Sequence, residues 1–204
     1  MKKKILNKIK NILKKYGNYD DIKLEEIMYG IEGIYLTITK LVILFILAFL
    51  LNIMKEFLIL LLFYNLLRKN CFGLHAKKSS HCLIASILMF ILVPILCKHI
   101  EINYYYKVFI SIIMCILIYK YAPADTYKRP IINLSKRRRF KLLSTITALI
   151  YLILIILDIK EISNYLVSSL VLITILIHPF TYKIFKLPYN NYKIYLDNLN
   201  RGLN

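Results

Sequence analysis

Two side chains able to do covalent chemistry stand close together between strongly apolar runs. They are His75 and Cys82, in Arg68-Lys69-Asn70-Cys71-Phe72-Gly73-Leu74-His75-Ala76-Lys77-Lys78-Ser79-Ser80-His81-Cys82. Polar groups held against a membrane are costly and usually serve a purpose. A thiol with an imidazole beside it makes a thiolate nucleophile and its base. On one straight helix seven residues would separate the two by about 10.5 Å along the axis, whereas proton transfer needs about 3 Å. The chain therefore has to turn back between them, and Gly73 and the run Lys77-Lys78-Ser79-Ser80 supply the freedom. Ser79 or Ser80 then suits the cap of a helix starting near His81 or Cys82. A cysteine in that first turn gains thiolate stabilisation from the helix N-terminus, and Arg68, Lys77 and Lys78 add to it.

Each of these residues also has a plain structural reading: Cys82 as a small packing residue, His75 as a satisfied interfacial histidine. On a helix His81 points about 100° away from Cys82 and reads as structural or interfacial. Cys71, His75, His81 and Cys82 are zinc-ligand types, but their spacing lacks a paired knuckle and two of them are adjacent, which argues against a metal. Neither a metal nor a cofactor is expected. Glu32, in Tyr29-Gly30-Ile31-Glu32-Gly33, is an acid at the start of an apolar run. It suits either an interfacial carboxylate balanced by Lys40 or loop cations, or a third group that orients His75. A proline-bounded loop, Tyr121-Ala122-Pro123-Ala124-Asp125-Thr126-Tyr127-Lys128-Arg129-Pro130-Ile131, precedes the cationic run Lys136-Arg137-Arg138-Arg139. Membrane topology alone accounts for the charge. Lys128, Arg129, Arg137 and Arg138 also suit docking of an acidic peptide segment.

The elements that must position these groups are legible as apolar segments. The chain has 204 residues, 59% of them hydrophobic, yet a formal net charge of +18. That combination fits a multi-span membrane protein with basic loops and excludes an ordinary soluble domain. Because the charges fall in the gaps between apolar runs, anionic lipid accounts for them, and nucleic acid is not an expected partner. Residues 2–16 put Ile5, Leu6, Ile9, Ile12, Leu13 and Tyr16 on one face with lysines on the other, an amphipathic helix suited to an anionic membrane surface or to packing on its own protein. Six apolar segments follow, at about 33–52, 57–67, 83–97, 104–121, 142–157 and 165–180. The second, at eleven residues, rises about 16 Å against a hydrocarbon core of about 30 Å. It has to borrow flanking residues, tilt in thinned lipid, or be a half-helix buried against neighbours.

With six spans and both termini inside, segments 1–26, 68–82, 122–141 and 181–204 hold 23 of the 29 Lys and Arg, and the outside loops 52–56, 98–107 and 158–164 hold 4. This places residues 68–82 on the cytoplasmic side, as does a four-span arrangement with re-entrant segments. Of the remaining cysteines, Cys97 and Cys115 read as small buried hydrophobes, and no secreted disulfide framework is visible. The N-terminus does not read as a cleavable signal. The expected architecture is one all-α polytopic membrane domain, 1–204, with an amphipathic N-terminal segment at 1–26, a catalytic loop at 68–82 and a basic loop at 122–141.

Together these motifs resemble the accessory gene regulator B family, membrane endopeptidases that process quorum-sensing propeptides. The family pattern of Arg, then Gly-x-His-Ala, then Cys seven residues after the His is matched by Arg68, Gly73, His75, Ala76 and Cys82. Its Ala-Pro-Ala-Asp-Thr … Lys-x-Pro-Ile loop is nearly reproduced at 122–131. Phe72 replaces a common second glycine, and Arg129 replaces a lysine. The resemblance implies a cysteine peptidase in which His75 deprotonates Cys82, with Arg68 positioning the loop or stabilising the oxyanion and Glu32 as a looser match. Its substrate would be a small amphipathic propeptide with an acidic C-terminal tail, cut through an acyl-enzyme thioester and closed into a thiolactone or lactone. A homodimer is also implied. The readings that compete with it are a non-enzymatic membrane partner and a small transporter.

Overall fold

The computed structural model describes residues 2–17, 19–74, 79–126 and 130–202. The described residues form ten α-helices: α1 (Lys2–Tyr16), α2 (Asp21–Leu50), α3 (Met54–Cys71), α4 (Ser79–Ile87), α5 (Val93–His99), α6 (Tyr104–Tyr121), α7 (Leu134–Ile156), α8 (Lys160–Ile177), α9 (Pro179–Ile184) and α10 (Asn191–Gly202). A π-helical turn, Leu88–Leu92, joins α4 to α5. No strand occurs among the described residues, so the protein is all-α. Among the described residues five stretches are long and apolar enough to cross a membrane: 23–50, 80–99, 104–121, 134–156 and 160–177. This is a multi-pass membrane protein.

Two units are compact in themselves, Met1–Leu47 and Ala48–Asn204. The first holds α1 and most of α2. In the second, α8 is the central helix, packing on α3, α6, α7, α5 and α9. Leu166, Leu170, Ile173 and Ile177 of α8 are fully buried. Small polar residues let neighbouring backbones approach closely there. Ser169 and Thr174 turn their hydroxyls onto the carbonyls of Tyr165 and Leu170, each at 2.8 Å, which satisfies both within the core.

The short second apolar segment becomes α3 by borrowing residues at both ends: Met54–Glu56 before it and Arg68–Cys71 after it. Phe57, Leu60, Tyr64, Leu67 and Cys71 line its buried face, and Tyr151 of α7 donates to the Phe63 carbonyl at 2.8 Å. Carrying Lys55, Glu56, Arg68 and Lys69, it is not among the five apolar spans, but protein covers it on several sides. The other boundaries also differ from the hydrophobic runs. α7 begins at Leu134, eight residues earlier than its apolar run, because the Asn133 side chain accepts from the Lys136 N–H at 3.1 Å and caps it. The run Lys136–Arg139 is therefore helix, not loop. α8 stops at Ile177 since Pro179 holds His178 extended, at φ −70 and ψ 134.

The connections gather at two opposite ends. At one, the Lys98 ammonium donates to the Asn52 carbonyl at 2.9 Å, Asn164 Nδ2 to the Ile100 carbonyl at 3.1 Å, and the Tyr104 hydroxyl to the Ile156 carbonyl at 3.2 Å. Here too Lys107, expected in a solvated loop, is instead buried on α6, donating to Ser163 Oγ at 2.9 Å and lying 3.8 Å from Asp158. At the other end Cys71–Leu74, Ala122–Asp125, Leu176 and Asn191–Tyr192 are joined by backbone and side-chain bonds. α3, α4–α5, α6, α7 and α8 thus run alternately from one end to the other.

This alternation sets an accessibility test. In a background without native cysteines, single cysteines at Asn52, Glu101 and Lys160 will react with an impermeant maleimide from one face of the membrane. Those at Ser135 and Asn190 will react from the opposite face. Labelling of positions 52 and 101 from different faces would remove one of the passes.

Candidate active site

α3 ends at Cys71 and α4 begins at Ser79, so residues 68–82 do not form one helix. The break starts at Phe72 (φ 56, ψ −133), whose N–H still bonds the Arg68 carbonyl at 3.1 Å, and continues at Gly73 with φ +109. Three helix ends then satisfy one another. The Gly73 N–H donates to the Ala124 carbonyl at 2.7 Å, the Ala124 N–H to the Cys71 carbonyl at 3.0 Å, and the Leu74 N–H to the Leu176 carbonyl at 3.0 Å. Phe72 and Ala124 make an isolated parallel bridge, and the Phe72 ring packs edge-on against Phe140.

Arg68 closes this junction from within. Its guanidinium donates to the carbonyls of Phe72, Gly73 (3.2 Å) and Leu74 (2.8 Å). Three carbonyls beyond a helix C-terminus are thereby satisfied by one cation. The arrangement favours the loop-positioning role for Arg68 over an oxyanion donor. Glycine at 73 is required twice over: by its positive φ, and because a Cβ would stand 2.5 Å from Arg68 Nη1 and 2.8 Å from the Leu176 carbonyl oxygen.

Beyond Leu74 the sequence reaches His75 and Lys77–Lys78, which lie outside the described residues, as do Lys128 and Arg129 of the basic loop. α4 then starts at Ser79, two residues earlier than expected, so that Ser80 is its second residue and not its cap. Cys82 is the fourth residue, in the first turn, half-buried, with Ser86 donating to its carbonyl at 2.8 Å. His81, beside it, is exposed.

The other cysteines have structural settings. Cys71 is fully buried, Cys97 lies 3.2 Å from the Ser168 hydroxyl, and Cys115 donates to the Ala148 carbonyl at 3.4 Å. None of the four is in a disulfide. Glu32 is half-buried on α2, in the N-terminal unit and thus in a different unit from Cys82.

Of the cations expected to bind substrate, Arg137 is engaged internally. It lies 3.7 Å from Asp125 Oδ2, and its guanidinium carbon sits 3.8 Å above the Tyr192 ring. Asp125 is the residue that sequence reasoning passed over. Only 2% exposed, it accepts from the N–H groups of Asn191 (3.1 Å), Tyr192 (2.9 Å) and Ile131 (3.4 Å), while its own carbonyl accepts from the Tyr182 hydroxyl at 3.0 Å. A carboxylate thus caps α10 and ties residues 122–126 to the C-terminal helices. Burial raises the phenol of Tyr182, and raises that of Tyr189 to about 12, partly offset by nearby Arg137. Arg138 is exposed and lines a cavity of about 450 Å³ together with Lys120, Tyr121, Pro123, Arg137 and Lys141.

The family model described as Accessory gene regulator B matches residues 3–182. A putative AgrB-like protein of Clostridium acetobutylicum is 33% identical over 181 residues, 88% of this chain and 87% of that protein. Accessory gene regulator protein B of Staphylococcus aureus strain bovine RF122 is 35% identical over 147 residues, 72% of this chain and 76% of that one. Its counterpart in S. aureus strain Newman is 34% identical over 129 residues, 63% and 68% respectively. No solved structure matches the chain.

Two substitutions, at Gly73 and Asp125, test the junction, with one at Gly30 as control. Gly73→Ala should lower unfolding stability by about 2 kcal/mol through forced positive φ and the clash with Arg68. Gly30→Ala on α2, with nothing within 4 Å of the added Cβ, should be neutral or slightly stabilising. Asp125→Ala leaves buried amides and Arg137 without their acceptor and should cost about 3 kcal/mol, seen as a lower unfolding midpoint in mild detergent.

Proposed function

Because this chain belongs to the accessory gene regulator B family, we propose that it is a membrane cysteine endopeptidase that trims and cyclises a quorum-sensing propeptide. Supporting this is the setting of Cys82: a half-buried thiol in the first turn of α4, a few residues beyond a turn held by Arg68 and Gly73. His75 follows directly on Leu74, whose N–H and carbonyl are both tied down. The base thus leaves a fixed anchor, which reduces the conformational search for a reactive geometry.

In this reading the His75 imidazole takes the Cys82 thiol proton. The thiolate adds to the carbonyl carbon of the scissile peptide bond. Collapse of the tetrahedral intermediate breaks the C–N bond, and His75 returns the proton to the departing amine of the acidic tail. The acyl group remains as a thioester on Cys82. A thiol or hydroxyl within the propeptide then attacks that thioester, giving its proton to His75 and closing the ring, and the proton returns to the Cys82 sulfur. A thioester keeps most of the acyl-transfer free energy of an activated acid, so ring closure needs no nucleotide. A site partly shielded from water favours the internal nucleophile over hydrolysis.

The tail, being acidic, is drawn to Lys128, Arg129 and Arg138, the last of these at the same end of the bundle as Cys82. The preponderance of Lys and Arg in the segments at this end makes it the cytoplasmic face, with both termini inside. Anionic lipid engages the amphipathic α1, and the active protein is a homodimer.

The test is the intact mass of the propeptide encoded beside the gene, co-expressed with wild type, Cys82→Ala or His75→Ala. Wild type should yield a shortened peptide one water lighter than the hydrolysed fragment, and each variant should lose at least about 10³-fold of product formation. Cys97→Ser and Cys115→Ala should retain it. Uncut propeptide in wild-type membranes containing folded protein would overturn the reading.

A further inference from the structure

The cavity beside the junction carries a second kind of site. It lies between the end of α6 and the start of α7, lined by Lys120, Tyr121, Pro123, Arg138, Lys141 and Tyr189 among others. Its charge is one-sided. Arg137 is paired with Asp125, but among the described residues Lys120, Arg138 and Lys141 have no carboxylate partner. Two of these ammonium groups are held by aromatic rings instead, Lys120 over Tyr121 at 5.3 Å and Lys141 over Tyr119 at 4.5 Å. A pocket of about 450 Å³ bordered by unneutralised cations and phenols selects a compact anion with hydrogen-bond acceptors.

What lies deeper along the helices decides which anion. One turn from Lys120 into the bundle, α6 presents Ile116, 60% exposed, and one turn in from Arg138, α7 presents Leu142, 61% exposed. Tyr119, which seats Lys141, is also largely exposed. Below the cations there is therefore an open apolar surface at the depth of acyl chains. A peptide or free phosphate would use only the cationic part, whereas a phospholipid uses both.

We propose that this cavity binds the headgroup of an anionic phospholipid, its phosphate between Lys120 and Lys141 and its chains along Ile116 and Leu142. The occupant would abut Ala122 and Pro123, the residues that lead into Ala124 and its bonds to Cys71 and Gly73. Lipid at this place therefore braces the junction from behind. The inference does not depend on the peptidase reading.

The experiment uses the full chain in nanodiscs of phosphatidylcholine with or without phosphatidylglycerol, comparing wild type with Lys120→Gln/Lys141→Gln. Phosphatidylglycerol should raise the wild-type Tm by about 5 °C and leave the double variant nearly unchanged, with both proteins melting alike in pure phosphatidylcholine. Native mass spectrometry of wild type released from mixed lipid should show phosphatidylglycerol retained over phosphatidylcholine. That second readout stands even if the variant fails to fold. Equal stabilisation of wild type and variant, or equal retention of the two lipids, would overturn the proposal. So would a matching Tm rise in pure phosphatidylcholine on adding inorganic phosphate or an Asp/Glu hexapeptide, which would assign the cavity to a free anion or to an acidic peptide.

Discussion

Backbone that leaves a helix near a membrane has few places to put its N–H and C=O groups, and each one left unsatisfied there is expensive. In this chain three helix ends meet that demand together. The C-termini of α3, α6 and α8 converge, and residues 71–74, 124 and 176 exchange their backbone bonds. Arg68 absorbs the carbonyls that remain. The chain thus leaves α3 through a closed hydrogen-bond circuit. It is this circuit that fixes where the segment leading to α4 starts.

Buried charge is used sparingly and at both ends. Lys107 is joined to Asp158 and Ser163 at one end, and Arg137 to Asp125 at the other. Pairs of this kind add little net stability over apolar packing, since desolvation offsets most of the attraction. Their contribution is specificity. Each ties a loop to one particular helix and penalises any other arrangement of the segments. The fact that Asp125 also caps α10 means that one carboxylate decides where the chain goes after its last span.

Much of this was legible in the sequence because membrane helices are selected by apolar length. The segments containing α2, α6 and α8 were recognisable as runs, and Gly73 and Cys82 were conspicuous by their types and spacing. What escaped notice depended on contacts distant in sequence. Asp125 gains its meaning from Asn191 and Tyr192, more than sixty residues away, at a helix N-terminus that only the fold presents. Lys107 looked like a loop cation because its counter-charge, Asp158, lies beyond the next span. Arg137 and Arg138, neighbours in the sequence, lie in opposite settings, one paired inward and the other exposed, since adjacent residues on a helix diverge by about 100°. The extent of α3 was hidden because its ends are charged and fall outside the apolar run.

The π turn at Leu88–Leu92 has a further consequence. It ends two residues before Pro94, whose ring would otherwise crowd the Phe90 carbonyl, and the wider turn makes room. A π turn holds one residue more than the helix around it, so the two halves of the rod are out of phase by roughly one residue. The half bearing Cys82 can therefore be clocked to suit the thiol, while the half bearing Cys97 is clocked independently to mesh with Asn164 and Ser168. Excising a single residue from 88–92 would restore a uniform pitch and force one half to rotate with the other. The orientation of the Cys82 thiol is in this sense geared apart from the docking of its own helix.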